Sequence, residues 1–230
     1  MMQDQDMDIK GLKFIVISRF ILVFVFLGLA FFLTAGTFNY WQAWAYIVIL
    51  FIPMLTFLLY MFKHDPKFLE RRMRTREKRK QQKIIQLVGL APFLLVYILP
   101  GLDKRFGWSK VPEGLSIAGL AMVLFGYLMI LYVFLTNSYA SRVVEVEKEQ
   151  KVITTGPYSI VRHPMYTGTI FFYGVTPLAL GSYWGMIFTV FIVIILVFRI
   201  VDEEKELIEN LEGYREYTQK VKYRLIPGLW

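Results

Sequence analysis

The sequence predicts an all-α fold: a polytopic membrane helix bundle of about six transmembrane segments, the last two forming a helical hairpin. Three observations carry this. Hydrophobic residues make up 56% of the 230 positions and charged ones only 19%, whereas a soluble domain carries about 25% charged residues. Long apolar runs recur along the chain between short polar stretches. The basic residues are concentrated in particular stretches, the pattern left by retention of Lys and Arg on the cytoplasmic side of a membrane.

Residues 1–13 are polar, with Asp4, Asp6 and Asp8 close together, and are expected to be a disordered or surface-lying tail. Residues 14–33 form a first span. A cleaved signal peptide is the rival reading, disfavoured because the leader is acidic and the apolar run exceeds the usual ~7–15 residues. Residues 36–40 make a turn, and Trp41 and Trp44 sit where interfacial aromatics belong. The second span covers residues 41–62, with a kink expected at Pro53. A third covers 84–102 and contains Pro92, and a fourth covers 114–135, where Gly114, Gly119 and Gly126 allow another helix or a ligand to approach closely. After a long polar segment, 136–165, come apolar stretches at 165–180 and 183–200. The first is short for a crossing, so the pair reads as a tilted or partly inserted hairpin.

The loop at 63–83 holds ten of the 26 basic residues. Six crossings place 21 basic residues on one face and three on the other, with Arg19 and Arg199 inside spans. This puts both termini, the basic loop and residues 136–165 in the cytoplasm. The net charge of +8 is therefore assigned to topology and anionic lipid head groups. Nucleic acid is not expected as a partner, because the basic loop lacks the interleaved aromatics of a stacking surface.

The chain has no cysteine and two histidines, His64 and His163. Thiolate chemistry and Cys-ligated metal are excluded, and no metal site is expected. No internal repeat points to a transporter of duplicated halves. Soluble dinucleotide, phosphate-loop and zinc-protease motifs are absent, so a nucleotide cofactor would have to be held by membrane helices and their cytoplasmic loops.

Two constellations stand out. In residues 156–168, Gly-Pro-Tyr-Ser-Ile-Val-Arg-His-Pro-Met-Tyr-Thr-Gly, Pro164 suits the first turn of a helix and holds His163 at its start. Exposed amides at such a start can bind a carboxylate, with Tyr158 and Tyr166 adding rings and hydroxyls; an interfacial loop anchored by Tyr and Arg is the plainer alternative. The second is Arg199 with Glu203 four residues on, either a snorkelling arginine with its helical partner or a functional charge pair near the membrane. The tail from Tyr214 to Trp230 is amphipathic and reads equally as an interfacial anchor or as a lid.

The ordered set Asn137-Ser138-Tyr139, Val143-Val144-Glu145, Thr155 to Tyr158, Arg162 to Gly168, Arg199 with Glu203-Glu204, Tyr214, Tyr217 and Arg224 to Pro227 resembles the isoprenylcysteine carboxyl methyltransferase family and its relatives, the phospholipid N-methyltransferases. The resemblance implies methyl transfer from S-adenosyl-L-methionine at the cytoplasmic face to a lipophilic acceptor drawn from the bilayer. Carried over residue by residue, it assigns Glu145, Val152, Ile153, Tyr158, His163, Pro164, Met165, Tyr166 and Glu203 to the cofactor and Arg199 to substrate orientation and catalysis. It runs from about Asn137 to Pro227; residues 111–230 are then read as the methyltransferase core, and residues 1–110 as anchor helices with the basic loop. The acceptor, whether carboxylate, amine or thiol, is not carried over. Membrane NADPH-dependent sterol reductases share a His-Pro-x-Tyr-x-Gly stretch and a Tyr-Arg-x-x-Pro ending, but are longer and lack the paired glutamates. A non-enzymatic lipid-binding scaffold fits the helices and basic loop but leaves the convergence of His, Tyr, Arg and Glu unexplained.

Overall fold

The computed structural model describes residues 9–74, 77, 79–141, 143, 146 and 150–230. The acidic leader and Glu145 lie outside the described residues. Among those described there is no strand. Eight helices follow in order: α1 (Ile9–Leu33, its last turn a π-turn from Leu29), α2 (Trp41–His64), α3 (Pro66–Met73), α4 (Lys80–Phe106), α5 (Glu113–Thr136), α6 (Pro164–Ala179), α7 (Met186–Asn210) and α8 (Tyr214–Lys220).

Four of them, α1, α2, α4 and α5, are long and apolar enough to cross a membrane. The expected hairpin is α6 and α7. The 16 residues of α6 rise about 24 Å at ~1.5 Å each, short of a hydrocarbon core of about 30 Å. In α7 the apolar run from Met186 ends at Phe198, because Arg199, Asp202 and Glu203 follow within the same helix. The last three turns of α7 therefore project beyond the apolar run as a polar rod.

Prolines within helices do not end them. α2 continues through Pro53, and α4 through Pro92 and Pro100. The basic loop contains a helix that its charge run concealed: Asp65 caps α3 by accepting from the Phe68 amide at 3.0 Å, and Pro66 occupies its first position. Phe68 and Leu69 are buried beneath it.

In lipid the helices gain little by hiding apolar surface from one another, so close packing and interhelical hydrogen bonds hold the bundle. α5 and α6 meet at glycines. A Cβ on Gly126 would lie 2.7 Å from the Gly168 carbonyl oxygen, and one on Gly119 would lie 2.8 Å from the Ala179 amide nitrogen. Gly114, expected to act likewise, faces open space. At the bundle centre Phe31, Tyr46 and Tyr97 pack edge to face or tilted, and the Tyr46 hydroxyl pairs with Thr176 Oγ1 at 2.8 Å.

The two ends of the bundle differ. At one, the short connections close around buried Asp103, which accepts from the Ser109 amide and hydroxyl at 2.6 Å and from Ser182 Oγ at 2.5 Å. At the other, the described residues of the basic loop, residues 137–141 and 150–163, the polar end of α7 and the C-terminal tail converge. Arg71 Nη1 donates to the Ser138 carbonyl at 3.2 Å, Arg72 Nη1 to that of Ser141 at 3.1 Å, and Arg79 Nη2 to Asp202 at 2.9 Å. The topology count grouped these same segments on one face.

Gly126→Leu should drive backbone and side chains apart at the α5–α6 crossing, lowering stability by about 1–3 kcal/mol as overpacking does. Gly114→Leu should leave stability unchanged. Thermal unfolding of the detergent-solubilised chain compares the two.

Candidate functional site

The polar end of the bundle holds a cavity of about 850 Å³ of atom-free space, its open mouth included. Its wall comes from the loop after α5, the segment 150–163, the first turn of α6, the end of α7 and the tyrosines of α8. Val152, Ile153, Tyr158, His163, Met165, Tyr166, Arg199 and Glu203 all line it. Eight of the ten residues singled out from the sequence thus share one wall. Pro164 is buried as the first residue of α6, outside the lining, and Glu145 falls outside the described residues.

The charge pair takes a different form from a direct side-by-side contact along the helix. The Tyr166 hydroxyl lies between the two groups: it receives a hydrogen bond from Arg199 Nε at 2.8 Å and donates one to Glu203 Oε2 at 2.6 Å. α6 and α7 are thereby pinned at the cavity. Opposite, Asn137 Nδ2 donates to the Tyr158 hydroxyl at 2.9 Å, and the Tyr217 hydroxyl donates to the Tyr158 carbonyl at 2.6 Å. Burial pushes the Tyr158 hydroxyl up to about 12; the Asn137 hydrogen bond opposes this and nearby Glu203 adds to it. Tyr158 is a neutral hydroxyl at physiological pH.

His163 is held from behind. Its Nε2 lies 3.2 Å from Glu204 Oε1, which also accepts from Arg162 Nε at 2.6 Å, while Glu204 Oε2 accepts from Arg224 Nε at 2.7 Å. Arg162 Nη1 reaches the Val221 and Lys222 carbonyls, both at 2.8 Å. Burial alone would raise the Glu204 carboxyl, but the hydrogen bonds from His163, Arg162 and Arg224 outweigh it and bring it down to about 2. Glu204 was quoted only as the neighbour of Glu203. A step of about 100° around the helix turns the two side chains to different partners, Glu203 into the cavity and Glu204 into the support.

The chain leading into α6 is bonded to the C-terminal tail. The backbone amides of Arg162 and His163 donate to the Tyr223 and Arg224 carbonyls, each at 2.9 Å, and the Thr167 hydroxyl donates to the Leu225 carbonyl at 2.9 Å. Pro164 has no amide proton. The expected carboxylate site is thereby narrowed: the C-terminal tail takes the Arg162 and His163 amides, and of the first-turn amides that of Met165 makes no bond to the tail. The tail is thus neither a loose lid nor only an anchor, since residues 223–225 form an edge of the site's support. Exposed Tyr223, Ile226 and Leu229 still give it an apolar outer face.

The wall can be tested against S-adenosyl-L-methionine, whose parts are a carboxylate, an amine, a sulfonium and an adenosine. Glu203 is an anion for the cationic groups, Lys151 and Arg199 are cations for the acid end, and Val152, Ile153, Leu207 and Leu211 offer apolar surface for a ring system. The Tyr214 hydroxyl, also in the lining, is buried without a hydrogen-bond partner, and a buried hydroxyl in that state requires one. The donor set fits. Among the described residues no cluster of metal-ligating side chains occurs.

The Glu204 support gives a pH dependence with a definite sign. Because its folded-state pKa is lowered, its stabilisation is fully present above about pH 4.5 and is lost as pH falls toward about 2. Glu204→Gln, which leaves buried Arg162 and half-buried Arg224 without their anion, should cost about 3 kcal/mol, most of it from Arg162, and flatten the acid limb. Thermal unfolding across pH 3–7 checks both.

No curated protein matches the chain. Residues 115–214 match the model of the phospholipid methyltransferase family, a stretch running from α5 through the cavity wall to Tyr214. That segment contains the loop after α5, the His163–Tyr166 turn and the Arg199–Glu203 end of α7, so the part of this membrane protein that is similar to the phospholipid methyltransferase family is the part that builds most of the cavity wall.

Proposed function

We propose that the chain transfers a methyl group from S-adenosyl-L-methionine to a lipophilic acceptor at the cytoplasmic face of its membrane, with both termini in the cytoplasm. The observation that carries this reading is the arrangement of Arg199, Tyr166 and Glu203 across one cavity wall within the family-matched segment. In this reading residues 111–230 form the catalytic core and residues 1–110 chiefly anchor it.

The bound cofactor supplies an electrophilic methyl group, so the residues need provide little proton chemistry. Glu203 faces the cationic part of the cofactor, and Tyr166 fixes the carboxylate by donating to it. Val152, Ile153, Leu207 and Leu211 enclose the rings and keep water from the reacting centre. Lys151 takes the acid end in place of the Arg162 and His163 amides. His163 and Met165 form the floor, with His163 held by Glu204. Arg199, whose Nε is fixed by Tyr166, orients the polar head of the acceptor while its apolar part stays in the bilayer. Displacement of this kind depends on alignment. A carboxylate acceptor would arrive ionised, while an amine or thiol must arrive deprotonated or lose its proton before transfer.

The purified chain, incubated with methyl-labelled S-adenosyl-L-methionine and a membrane lipid extract, should label a lipid-soluble product. Tight NADPH binding with no response to S-adenosyl-L-methionine would overturn the proposal. Glu203→Gln should weaken cofactor binding about 10- to 100-fold, the loss of one charge-assisted contact, measured by calorimetry. Tyr166→Phe should lower kcat by a similar factor with a smaller effect on cofactor affinity.

A further inference from the structure

The loop before α4 contributes to this site from outside the family-matched segment. Residues 63–83 contain three acidic side chains, Asp65, Glu70 and Glu77, among ten basic ones. Glu77 is the one that is buried, at 4% exposure. Burying a carboxylate in so basic a stretch is costly unless a cation or donors meet it, and the neighbouring geometry shows which cation is in place to do so.

Just after Glu77 the chain is strapped to α7. The Arg79 guanidinium donates to Asp202 Oδ1 at 2.9 Å and to Glu206, and Gln82 Nε2 donates to Asp202 Oδ2 at 2.6 Å. Asp202 is 1% exposed. The strap therefore has its own partners: Arg79, Gln82, Asp202 and Glu206 complete it without the Glu77 side chain. Glu77 accepts from the Arg79 amide at 3.1 Å. Asp202 lies three residues after Arg199, one turn along α7. The strap thus brings Glu77 alongside the cavity end of that helix, within electrostatic reach of the Arg199 guanidinium.

We propose that Glu77 is a positioning residue for Arg199, a buried carboxylate delivered by the strapped loop to the acceptor end of the cavity. The inference rests on the reading of Arg199 as the acceptor-facing cation. Arginine has a long, flexible stem and a planar head whose direction decides what it can bind. The head is bonded to Tyr166, which is bonded to Glu203, and it also feels Glu77, so carboxylates from two separate parts of the chain act on it. Without Glu77 it is drawn toward Glu203, which turns it away from an arriving acceptor and toward the cofactor's own anion.

The test uses the full chain in vesicles of phosphatidylethanolamine and phosphatidylglycerol, with Glu77→Gln and Glu77→Asp variants. Phenylglyoxal labels arginines, and peptide mass spectrometry reads its rate at Arg199 with S-adenosyl-L-methionine present. Glu77→Gln should speed labelling at Arg199 about tenfold, the equivalent of one charge-assisted contact, with the other arginines unchanged and Glu77→Asp close to the parent chain. With phosphatidylethanolamine as acceptor, Glu77→Gln should raise its apparent KM while leaving that of the cofactor unchanged. Equal labelling rates at Arg199 would overturn the inference. So would a uniform rise at every buried arginine, which marks a merely structural role, or a parallel loss of cofactor affinity. The labelling arm needs no turnover: a parent chain that binds no S-adenosyl-L-methionine defeats the methyltransferase reading, whereas a parent chain that binds it while Glu77→Gln changes nothing defeats only the role of Glu77.

Discussion

The site depends on one buried carboxylate. Glu204 accepts from Arg162 and Arg224 and lies within hydrogen-bonding distance of His163, which joins the end of α7 to the turn before α6 and to the C-terminal tail. None of these segments has a reason to stay in place alone. Residues 156–163 contain only a single 3₁₀ turn, and the tail from 221 onward contains no helix. A carboxylate with two guanidinium donors offsets its own desolvation and fixes two pieces of irregular chain to the end of α7 at once. The cavity wall stands on that support: His163 is tied to Glu204 directly, and Tyr166 follows it by one turn of α6.

A second constraint is set by the lipid. Four helices are long enough to cross it, while α6 is short and α7 turns polar after Phe198. The glycine contacts between α5 and α6 hold this shorter pair against the longer helices. A hairpin shorter than the hydrocarbon core must tilt or draw its polar ends inward. The ends drawn inward here are the His163–Tyr166 turn and the Arg199–Glu203 turn, so the polar cavity is brought toward the apolar chains of the surrounding lipid.

Much of this architecture was legible in the chain. Apolar runs and their lengths located the long helices to within about five residues, except that α7 continues ten residues past the apolar stretch to Asn210, and the short run at 165–180 already marked the hairpin as atypical. Residues such as Tyr158, Tyr166, Arg199 and Glu203 were selected by motif, and they line the same cavity. What stayed hidden depended on contacts between distant segments. Helix α3 was masked by its charge, since Asp65 and Pro66 are a cap only if a helix follows. The separate roles of Glu203 and Glu204 come from the rotation between adjacent residues, which becomes informative only once the partners are placed. The Arg162 and His163 amides looked free because nothing local showed that residues 223–224 would occupy them. Glu77, one of three acids in a basic run, is set apart only by its burial and by its place beside the Arg79–Asp202 contact.

The pairing of residues 223–225 with the start of α6 also bears on how the protein is made. Chains emerge from the ribosome N-terminus first, and the family-matched segment ends at residue 214, before Arg224 has appeared. Every membrane helix can therefore be inserted while Glu204 still lacks one of its guanidinium partners and the Arg162 and His163 amides lack theirs. The pocket acquires its final shape only after the last of these residues has been released, so a nascent chain halted partway holds the whole bundle without a finished binding site.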